Sequence, residues 1–291
     1  MNTENPRLSR TAATPATEVD IPAITPVEVC EAMARAKPGK AVGPDDIPAE
    51  AWKCLGYHAV DFLTTLFQSI LEGAPMPDEW RRSVLVPLYK NKGDAQVCGN
   101  YRGIKLTSHA LKLFERLVDK RIRGSCSVSE QQFGFMPGRS TMDPLFALRI
   151  SAGKYREMQR DLHCVFIDLE KAYDRVPRDE VWHCLREKGV PEAYVRVVQD
   201  MYRGSTTEVR TSVGNTAPFS VDVGLHQGSA LSPFLFAVVM DQITAPLRRE
   251  APWNMLFADD IALLNDTRAD SERELAKGSR GKRSEGKPNK D

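Results

Sequence analysis

Two adjacent aspartates interrupt an apolar run in the last fifth of the sequence. Residues 255–264 read Met-Leu-Phe-Ala-Asp-Asp-Ile-Ala-Leu-Leu, so apolar residues flank Asp259 and Asp260 on both sides. This pattern predicts a buried β-hairpin whose turn carries two carboxylates. Adjacent carboxylates that lose hydration repel each other, and they either take up a proton or bind a cation such as Mg²⁺. Asp is also a common turn residue, so the pair alone leaves both an ordinary turn and a metal site open.

The composition is that of a folded globular protein. Of the 291 residues, 42% are hydrophobic and 27% are charged, which suffices for one or two cores. No apolar run reaches the roughly 18 residues of a membrane span, and the first residues lack the apolar segment of a secretory signal. The six cysteines are scattered without a Cys-x-x-Cys pair, so we expect reduced thiols without zinc or disulfides. The expected location is the nucleus or the cytoplasm.

The charge of the chain is distributed unevenly. The formal net charge is +1, but residues 81–123 contain eleven Lys or Arg against three acidic residues, a net charge of +8. A basic surface of this kind would attract a polyanion such as nucleic acid. A solvated helix face has the same composition, so this segment alone does not decide between the two interpretations.

Hydrophobic patterns predict a mixture of helices and strands. A long amphipathic helix is predicted from Ala49 to Leu71, with Leu55 and Phe62 among the residues on its buried side. Further helices are predicted at residues 108–123, 178–188, 191–202 and 234–247, and strands at residues 83–89, 101–106, 164–167, 207–213 and 219–223.

A third aspartate follows another predicted strand. Asp168 comes directly after residues 164–167, and a carboxylate at the end of a strand points towards a cleft rather than a core. A turn at Gln227 and Gly228 precedes the helix that is apolar nearly all round. Together with the aspartate hairpin, these features describe the palm site of a polymerase. Such a site transfers a nucleotide with two divalent ions about 3.5–4 Å apart, held by acidic side chains from neighbouring strands.

Six short motifs extend this interpretation along the chain. They are Gly-Pro-Asp at 43–45, Tyr-Arg-Gly-Ile at 101–104, Phe-Gly-Phe-Met-Pro-Gly-Arg at 133–139, Phe-Ile-Asp at 166–168 with Ala-Tyr-Asp at 172–174, Gln-Gly-Ser-Ala-Leu-Ser-Pro at 227–233, and Phe-Ala-Asp-Asp at 257–260. Over about residues 25–268 the sequence resembles the reverse transcriptase domain of non-LTR (LINE-type) retrotransposons, most closely the RTE-like group. Each motif alone is modest, whereas all six in the family's order are specific.

The resemblance implies roles for the acidic residues. Asp168 and Asp259 would be catalytic and would ligate two Mg²⁺ ions, with Mn²⁺ as a possible replacement. Asp260 would be the adjacent and less direct catalytic and metal-binding carboxylate. Asp174 and Glu170 are assigned surface or capping roles instead.

The resemblance also implies which residues meet the substrates. The residues expected to bind the nucleotide are Lys90, Arg102, Tyr173, Gln227, Gly228 and Ala258. Tyr173 would exclude a 2′-hydroxyl, although an aromatic residue that merely fills a turn is the alternative. Lys92 could equally take the place of Lys90. The residues expected to contact nucleic acid are Arg139, Lys92 and Lys105.

The implied fold is α+β, with the fingers and palm of a right-hand polymerase, an antiparallel palm sheet packed on helices, and no thumb. The expected organisation is a disordered tail at 1–20, a fingers-like region with an N-terminal extension at 21–160, a palm at 161–268 and a basic disordered tail at 269–291. The expected partners are an RNA template, a DNA primer and a deoxynucleoside triphosphate (dNTP), and no membrane. The sequence does not indicate the oligomeric state.

The chain departs from the family's pattern at both ends. No endonuclease pattern precedes the motifs, and after Leu275 the expected helix gives way to a run rich in Lys, Arg, Gly and Ser. We therefore expect a truncated copy that binds RNA or a primer–template in a salt-sensitive way but extends primers poorly. Two hypotheses remain open: an RNA-directed DNA polymerase, or a catalytically silent relic that binds nucleic acid or a protein partner.

Overall fold

The computed structural model describes residues 16–248 and 254–280. Within these ranges helices alternate with strands that form two separate sheets, which confirms the predicted α+β fold class. None of the helices in these ranges combines the length and the apolar character that a membrane crossing requires.

The chain divides into two compact units, and each is built from two separate stretches. Unit 1 comprises residues 1–127 and 173–233, and unit 2 comprises residues 128–172 and 234–291. The predicted fingers-like region at 21–160 and palm at 161–268 stay predictions, because compact units do not assign these names. The chain leaves unit 1 after residue 127 and returns to it at residue 173, which hydrophobic patterns along a sequence do not reveal.

The secondary structure follows the predicted order. The helices are α1 (Pro26–Ala34), α2 (Ala49–Cys54), α3 (Tyr57–Leu71), α4 (His109–Ser125), α5 (Met142–Glu157), α6 (Ala172–Arg175), α7 (Arg178–Glu187), α8 (Glu192–Tyr202), α9 (Ser232–Thr244) and α10 (Arg268–Arg280). The strands are β1 (Arg82–Tyr89), β2 (Tyr101–Leu106), β3 (His163–Ile167), β4 (Thr206–Thr211), β5 (Gly214–Asn215), β6 (Phe219–Ser220), β7 (Asn254–Phe257) and β8 (Asp260–Asn265). Most predicted elements are confirmed within a few residues, but the strand predicted at 219–223 is only two residues long.

The long helix predicted from Ala49 to Leu71 is interrupted. It consists of α2 and α3, which are separated at Gly56, where φ is +55°. A positive φ cannot continue a right-handed helix, and glycine is the residue that adopts it at least cost. Leu55 and Phe62, which were predicted to be buried, are 55% and 58% exposed. Leu55 lies at the break, and Phe62 lies off the buried face of α3.

Unit 1 is organised around β1. This strand pairs with β2 antiparallel and with β4 parallel, and Val84 lies opposite Leu106. Behind the sheet, aromatic rings join α3 to α4, with the Phe67 and Phe114 ring centroids 4.8 Å apart. Burial of these rings fixes α4 against the rest of unit 1.

Unit 2 contains a three-stranded antiparallel sheet in the order β3–β8–β7. Ile167 of β3 pairs with Ile261 of β8, and Phe257 of β7 pairs with Asp260. Leu256 and Leu263 are each only 1% exposed. The apolar residues that flank the two aspartates are therefore core residues, as the hairpin prediction requires.

The tail predicted at 269–291 is helical in its first part. Residues 268–280 form α10, which packs beside β3 and β8. Thr267 begins it by accepting a hydrogen bond from the Asp270 backbone N–H at 3.1 Å. Ion pairs between residues three and four apart, such as Arg268–Glu272 at 2.9 Å, support a helix that has few apolar residues. The rest of this tail, like residues 1–15, lies outside the described residues.

Candidate active site

A two-residue turn of Ala258 and Asp259 joins β7 to β8 in unit 2. Ala258 has a φ of +57°, in the left-handed region that is unfavourable for a residue with a Cβ. Hairpin turns of two residues usually place glycine or asparagine at such positions. An alanine there persists only when the surrounding structure holds the turn in shape.

Residues 131–134 provide that support along the second edge of β7. The Phe133 N–H donates to the Leu256 carbonyl at 2.8 Å, and the Leu256 N–H donates to the Gln131 carbonyl at 2.9 Å. A Cβ on Gly134 would lie 2.2 Å from the Ala258 nitrogen, so only glycine permits this approach. The sequence indicated a loop with packing aromatics here. The role of residues 131–134 in supporting the turn was not predicted, and Gly134 was the sequence feature that could have indicated it.

The register of the sheet brings the three predicted acidic residues to one end of it. Because Ile167 pairs with Ile261, the next positions along the two strands, Asp168 and Asp260, are neighbours. Burial, and then the negative charges of Asp259 and Asp168, raise the pKa of the Asp260 carboxyl. No basic group in the described part of the chain contributes to this shift. The three carboxylates are thus within electrostatic reach and repel one another.

The chemistry of this donor set fits a divalent ion. Carboxylate oxygens are the ligands that Mg²⁺ and Mn²⁺ prefer, and a cation would relieve the repulsion. In residues 16–248 and 254–280, however, no three His, Cys, Asp or Glu side chains are gathered closely enough to hold a metal ion. The roles of Asp168, Asp259 and Asp260 as metal ligands therefore stay predictions.

In unit 1, the loop at Gln227 and Gly228 packs closely on β2. The Lys105 N–H donates to the Gln227 carbonyl at 2.8 Å. Gly228 has a φ of +106°, and a Cβ on it would lie 2.6 Å from the Lys105 carbonyl oxygen. Both the backbone angle and the contact require glycine at this position.

A buried carboxyl holds the next residues of the same loop. Glu115 of α4 is 4% exposed and accepts a hydrogen bond from the Ala230 N–H at 2.7 Å. It also bonds to the Ser229 side chain, and burial raises the pKa of this carboxyl. Sequence reasoning missed Glu115. Its signal was an acidic residue on the face of the predicted helix that Leu111, Phe114 and Val118 bury.

Tyr173 and Gln227 lie on segments that bond to each other. The Leu225 N–H donates to the Tyr173 carbonyl at 2.9 Å. The Tyr173 side chain and the Gln227 side chain are both half-buried. Within unit 1 the structure thus brings together the segment of Tyr173, which was predicted to exclude a 2′-hydroxyl, and the segment of Gln227, which was predicted to bind the nucleotide.

The charged side chains of residues 81–123 are mostly paired or covered. Arg81, Arg82, Lys120, Arg121 and Arg123 form ion pairs with acidic residues of unit 1. Lys112 and Arg116 line a cavity of about 10 Å³ beside Trp52 and His109. The exposed basic residues of the segment that show no ion pair in the described structure are Lys90, Lys92 and Arg102, all on the β1–β2 hairpin. The predicted basic surface therefore shrinks to this hairpin.

Lys105 is not on that surface. Its side chain is 7% exposed, and its Nζ has no hydrogen-bond partner among the described residues. Burial, and then the charge of Arg178, lower the pKa of Lys105 to about 8. The predicted contact between Lys105 and nucleic acid does not agree with this position, because a phosphate cannot reach an interior ammonium. Alternation along β2 turns Lys105 inward and leaves Arg102 outside.

Arg139 belongs to unit 2 and is exposed. Its guanidinium carbon lies 5.2 Å from the centre of the Phe133 ring, a cation–π contact that holds the side chain at the surface. This position is compatible with the predicted contact with nucleic acid.

Residues 89–285 match the family model described as reverse transcriptase (RNA-dependent DNA polymerase). This match covers more than half of the chain. The chain belongs to the reverse transcriptase family.

The matched range of this reverse transcriptase contains every residue that was predicted to act, from Lys90 to Asp260. The family generally uses divalent metal ions. The carboxylates of unit 2 and the Gln227 loop of unit 1 both lie within the matched range.

Curated relatives of the reverse transcriptase are proteins of transposable elements. The protein named "Probable RNA-directed DNA polymerase from transposon BS" of Drosophila melanogaster is 28% identical over 246 residues, 81% of this chain and 27% of that protein. Its counterpart from transposon X-element is 28% identical, over 88% of this chain and 29% of that protein. The Pol polyprotein of the type-1 retrotransposable element R2 of Popillia japonica is 28% identical, over 66% of this chain and 28% of that protein. The chain thus spans between a quarter and a third of the length of these three relatives.

Among solved structures, the chain is similar to an apo telomerase from Candida tropicalis, truncated from its C-terminal domain. The TM-score is 0.49 at 12% identity, and the match covers 80% of this chain and 52% of the telomerase chain.

Proposed function

We propose that this chain supplies the polymerase site of a non-LTR retrotransposon reverse transcriptase, which copies an RNA template into DNA from a DNA primer and dNTPs. The observation that carries the proposal is the cluster of Asp168, Asp259 and Asp260 at one end of the unit 2 sheet. Three mutually repelling carboxylates are unfavourable in a protein unless they serve a cation or a proton transfer.

In this proposal Asp168 and Asp259 hold two Mg²⁺ ions, for which Mn²⁺ could substitute, and Asp260 adds negative charge beside them. Bound ions of this kind activate the attacking hydroxyl and stabilise the charge of the triphosphate. The protein contributes a fixed geometry. The buttressed turn at Ala258 keeps the Asp259 backbone in one conformation, so little reorganisation is needed when the substrates bind.

The nucleotide in this proposal is bound by residues of several elements. Arg102 and Lys90, which are exposed on the β1–β2 hairpin, would neutralise the triphosphate. Tyr173 would exclude the 2′-hydroxyl of a ribonucleotide by its bulk. Gln227, Gly228 and Ala258 are the other residues that this proposal assigns to nucleotide binding.

Nucleic acid would be bound through few phosphate contacts. Lys90, Lys92 and Arg102 on the hairpin, together with Arg139, give about four exposed basic groups. With four contacts, affinity for RNA should fall by roughly 10² between 50 and 200 mM salt.

The RTE-like subgroup also belongs to the proposal. It is supported by the motif sequences, and a tree of reverse transcriptase domains would test it.

A second candidate is a nucleic-acid-binding protein without catalysis. It is favoured by the spacing of the acidic side chains, since no three of them in the described ranges are gathered to hold an ion. The exposed hairpin lysines and arginine would serve this role equally well.

The two candidates are separated by primer extension on an RNA template, measured with the purified chain in Mg²⁺ and in Mn²⁺, beside an RNA-binding titration. We expect weak but divalent-ion-dependent extension, in line with the poor extension predicted from the sequence, that Asp259→Asn reduces at least about 100-fold while RNA binding is unchanged. Asp161→Asn is the matched control, because Asp161 is an exposed aspartate of the same unit. RNA binding without extension in either ion would favour the second candidate. Extension that survives Asp259→Asn would contradict the assignment of this hairpin.

A further inference from the structure

Asp174, which the sequence assigns only to a surface or capping role, has a specific partner. Its Oδ1 accepts a hydrogen bond from Nε2 of Gln227 at 2.9 Å, although the two residues are 53 positions apart. Both belong to unit 1. Among the described residues, the Gln227 amide nitrogen bonds to Asp174 alone.

The backbones around these two side chains are fastened together. The Leu225 N–H donates to the Tyr173 carbonyl at 2.9 Å, and the Gly224 N–H donates to the Val176 carbonyl at 3.0 Å. A Cβ on Gly224 would lie 2.6 Å from the Asp174 carbonyl oxygen. The segment that carries Tyr173 and the segment that leads to Gln227 therefore form one rigid frame.

The far side of Gln227 is also anchored. Lys105 holds the Gln227 carbonyl, and Glu115 holds Ala230 three residues later. With the backbone fixed on both sides, the remaining freedom of Gln227 lies in its side-chain torsions. A glutamine side chain loses rotamer freedom when it is ordered, which weakens the binding of any ligand that has to order it. The bond to Asp174 orders it before any ligand arrives.

The bond also decides which end of the amide is presented. A carboxylate only accepts hydrogen bonds, so the Gln227 group that faces Asp174 must be the NH₂ group. Oε1 is then the end directed away from Asp174. Gln227 in this orientation offers the acceptor Oε1 on the side away from Asp174, while one of its two N–H donors is used by the carboxylate.

We propose that Asp174 is a positioning residue of the nucleotide site. It fixes the Gln227 amide so that the amide Oε1 accepts a hydrogen bond from a dNTP bound beside Tyr173. This inference rests on the proposed function. It assigns to Asp174 a part in substrate binding through Gln227, without contact between Asp174 and the nucleotide.

The test measures nucleotide affinity without requiring catalysis. The chain is bound to an RNA template with a chain-terminated DNA primer in Mg²⁺, the next complementary dNTP is titrated, and the fraction of complex that resists a polyanion competitor is recorded. We expect Asp174→Ala to weaken the apparent dNTP affinity about threefold to tenfold, the effect of one hydrogen bond. Asp174→Asn should restore the affinity to within about twofold, since its Oδ1 can still accept the bond.

Two further variants distinguish positioning from a general structural effect. Gln227→Ala should weaken dNTP affinity at least as much as Asp174→Ala, and the double variant should be no weaker than Gln227→Ala alone, because Asp174 acts through Gln227. Asp179→Ala, which removes an exposed aspartate of α7, is the matched control and should match the wild type. The melting temperature should be the same in all of these variants.

The outcomes separate the inference from the proposed function. Full dNTP affinity in Asp174→Ala, or additive losses in the double variant, would overturn the inference while Gln227→Ala and Tyr173→Ala still respond. A wild-type complex that ignores the dNTP, or Tyr173→Ala that gains no affinity for the ribonucleotide, would overturn the proposed nucleotide site, and the inference with it.

Discussion

The Gln227 loop of unit 1 and the Asp259 turn of unit 2 are stabilised in opposite ways. In the loop, protein groups hold two residues: Glu115 bonds to Ala230, and Asp174 bonds to Gln227. The buried Nε2 of His226 has no hydrogen-bond partner among the described residues. At the turn, backbone contacts fix the chain, but the Asp260 carboxyl has the negative charges of Asp259 and Asp168 beside it, and both raise its pKa.

The two regions therefore differ in which property the protein fixes: the conformation of the loop, or the backbone but not the charge of the turn. The loop backbone and the Gln227 side chain are held by hydrogen bonds from the protein, so they can be preorganised before a ligand binds. The turn has a fixed backbone but uncompensated negative charge, so a bound cation would stabilise the turn more than the loop. A region whose repulsion is left uncompensated is a better indicator of a functional site than one that is well satisfied.

The largest expected effect concerns a buried lysine that packs against the Gln227 loop and whose ammonium has no hydrogen-bond partner in the described part of the chain. Lys105 lies beneath the loop with no partner for its Nζ, and burial lowers its pKa from 10.5 to about 8. The unfolded chain therefore binds more protons between these two values, so stability rises with pH in that window and is lowest below pH 8. Lys105→Met should stabilise the protein by about 3 kcal/mol at pH 7 and by only about 1 kcal/mol at pH 9.5.

Urea denaturation at the two pH values measures this difference. Lys92→Met is the matched control, because Lys92 is exposed on the β1–β2 hairpin, and it should change stability little at either pH. A Lys105→Met variant that is less stable than the wild type at pH 7 would mean that the ammonium has a partner and that the loop is more fully satisfied than we infer.

A smaller effect tests whether Glu115 holds the loop. Glu115→Ala leaves the Ala230 N–H without its acceptor in a buried place, and should destabilise the protein by about 2 kcal/mol. Glu115→Gln keeps an acceptor oxygen and should cost less than about 1 kcal/mol. Thermal denaturation of both variants measures the effect. Equal losses in the two would show that the carboxylate charge matters more than the hydrogen bond.

The smallest effect concerns the turn. Asp259→Asn removes a negative neighbour, so the pKa of Asp260 should fall towards its ordinary value. Addition of Mg²⁺ to the wild type should lower the pKa of Asp260 as well, since a cation favours the ionised form. Carbon-13 NMR titration of the carboxyl groups follows both changes, with Asp161→Asn as the control. An Asp260 pKa that ignores both changes would remove the repulsion on which the comparison rests.

Much of this architecture could be predicted from the sequence. Apolar residues on both sides of Asp259 and Asp260 indicate a buried hairpin, and the aspartate after β3 indicates a strand end, because these signals are local. The break at Gly56 was missed because an apolar pattern that continues across a glycine does not show that the helix is interrupted there.

The contacts of the site could not be predicted in the same way. Asp174 meets Gln227 from 53 residues away, and Glu115 meets Ala230 from 115 residues away. Such bonds depend on how distant segments pack, which spacing does not encode. The inward orientation of Lys105 could have been predicted from the sequence. Side chains alternate along β2, so Lys105 lies on the opposite face from Arg102, which was expected to meet the nucleotide. Lys105 was assigned to nucleic acid as a basic residue that directly follows the Tyr-Arg-Gly-Ile motif at 101–104.

The strand that leads to Asp168 lies at the edge of its sheet. β3 pairs with β8 on one side only, and its outer face carries Phe166, which is 69% exposed. An edge strand with an exposed aromatic is a template on which another strand can add, and natural proteins cover or charge such edges to avoid aggregation. Material prepared for the experiments above should therefore be kept dilute, and a charged residue in place of Phe166 would discourage the self-association of β3. Any strand that did add there would extend the backbone hydrogen bonding up to Asp168 and stiffen the position of this carboxylate.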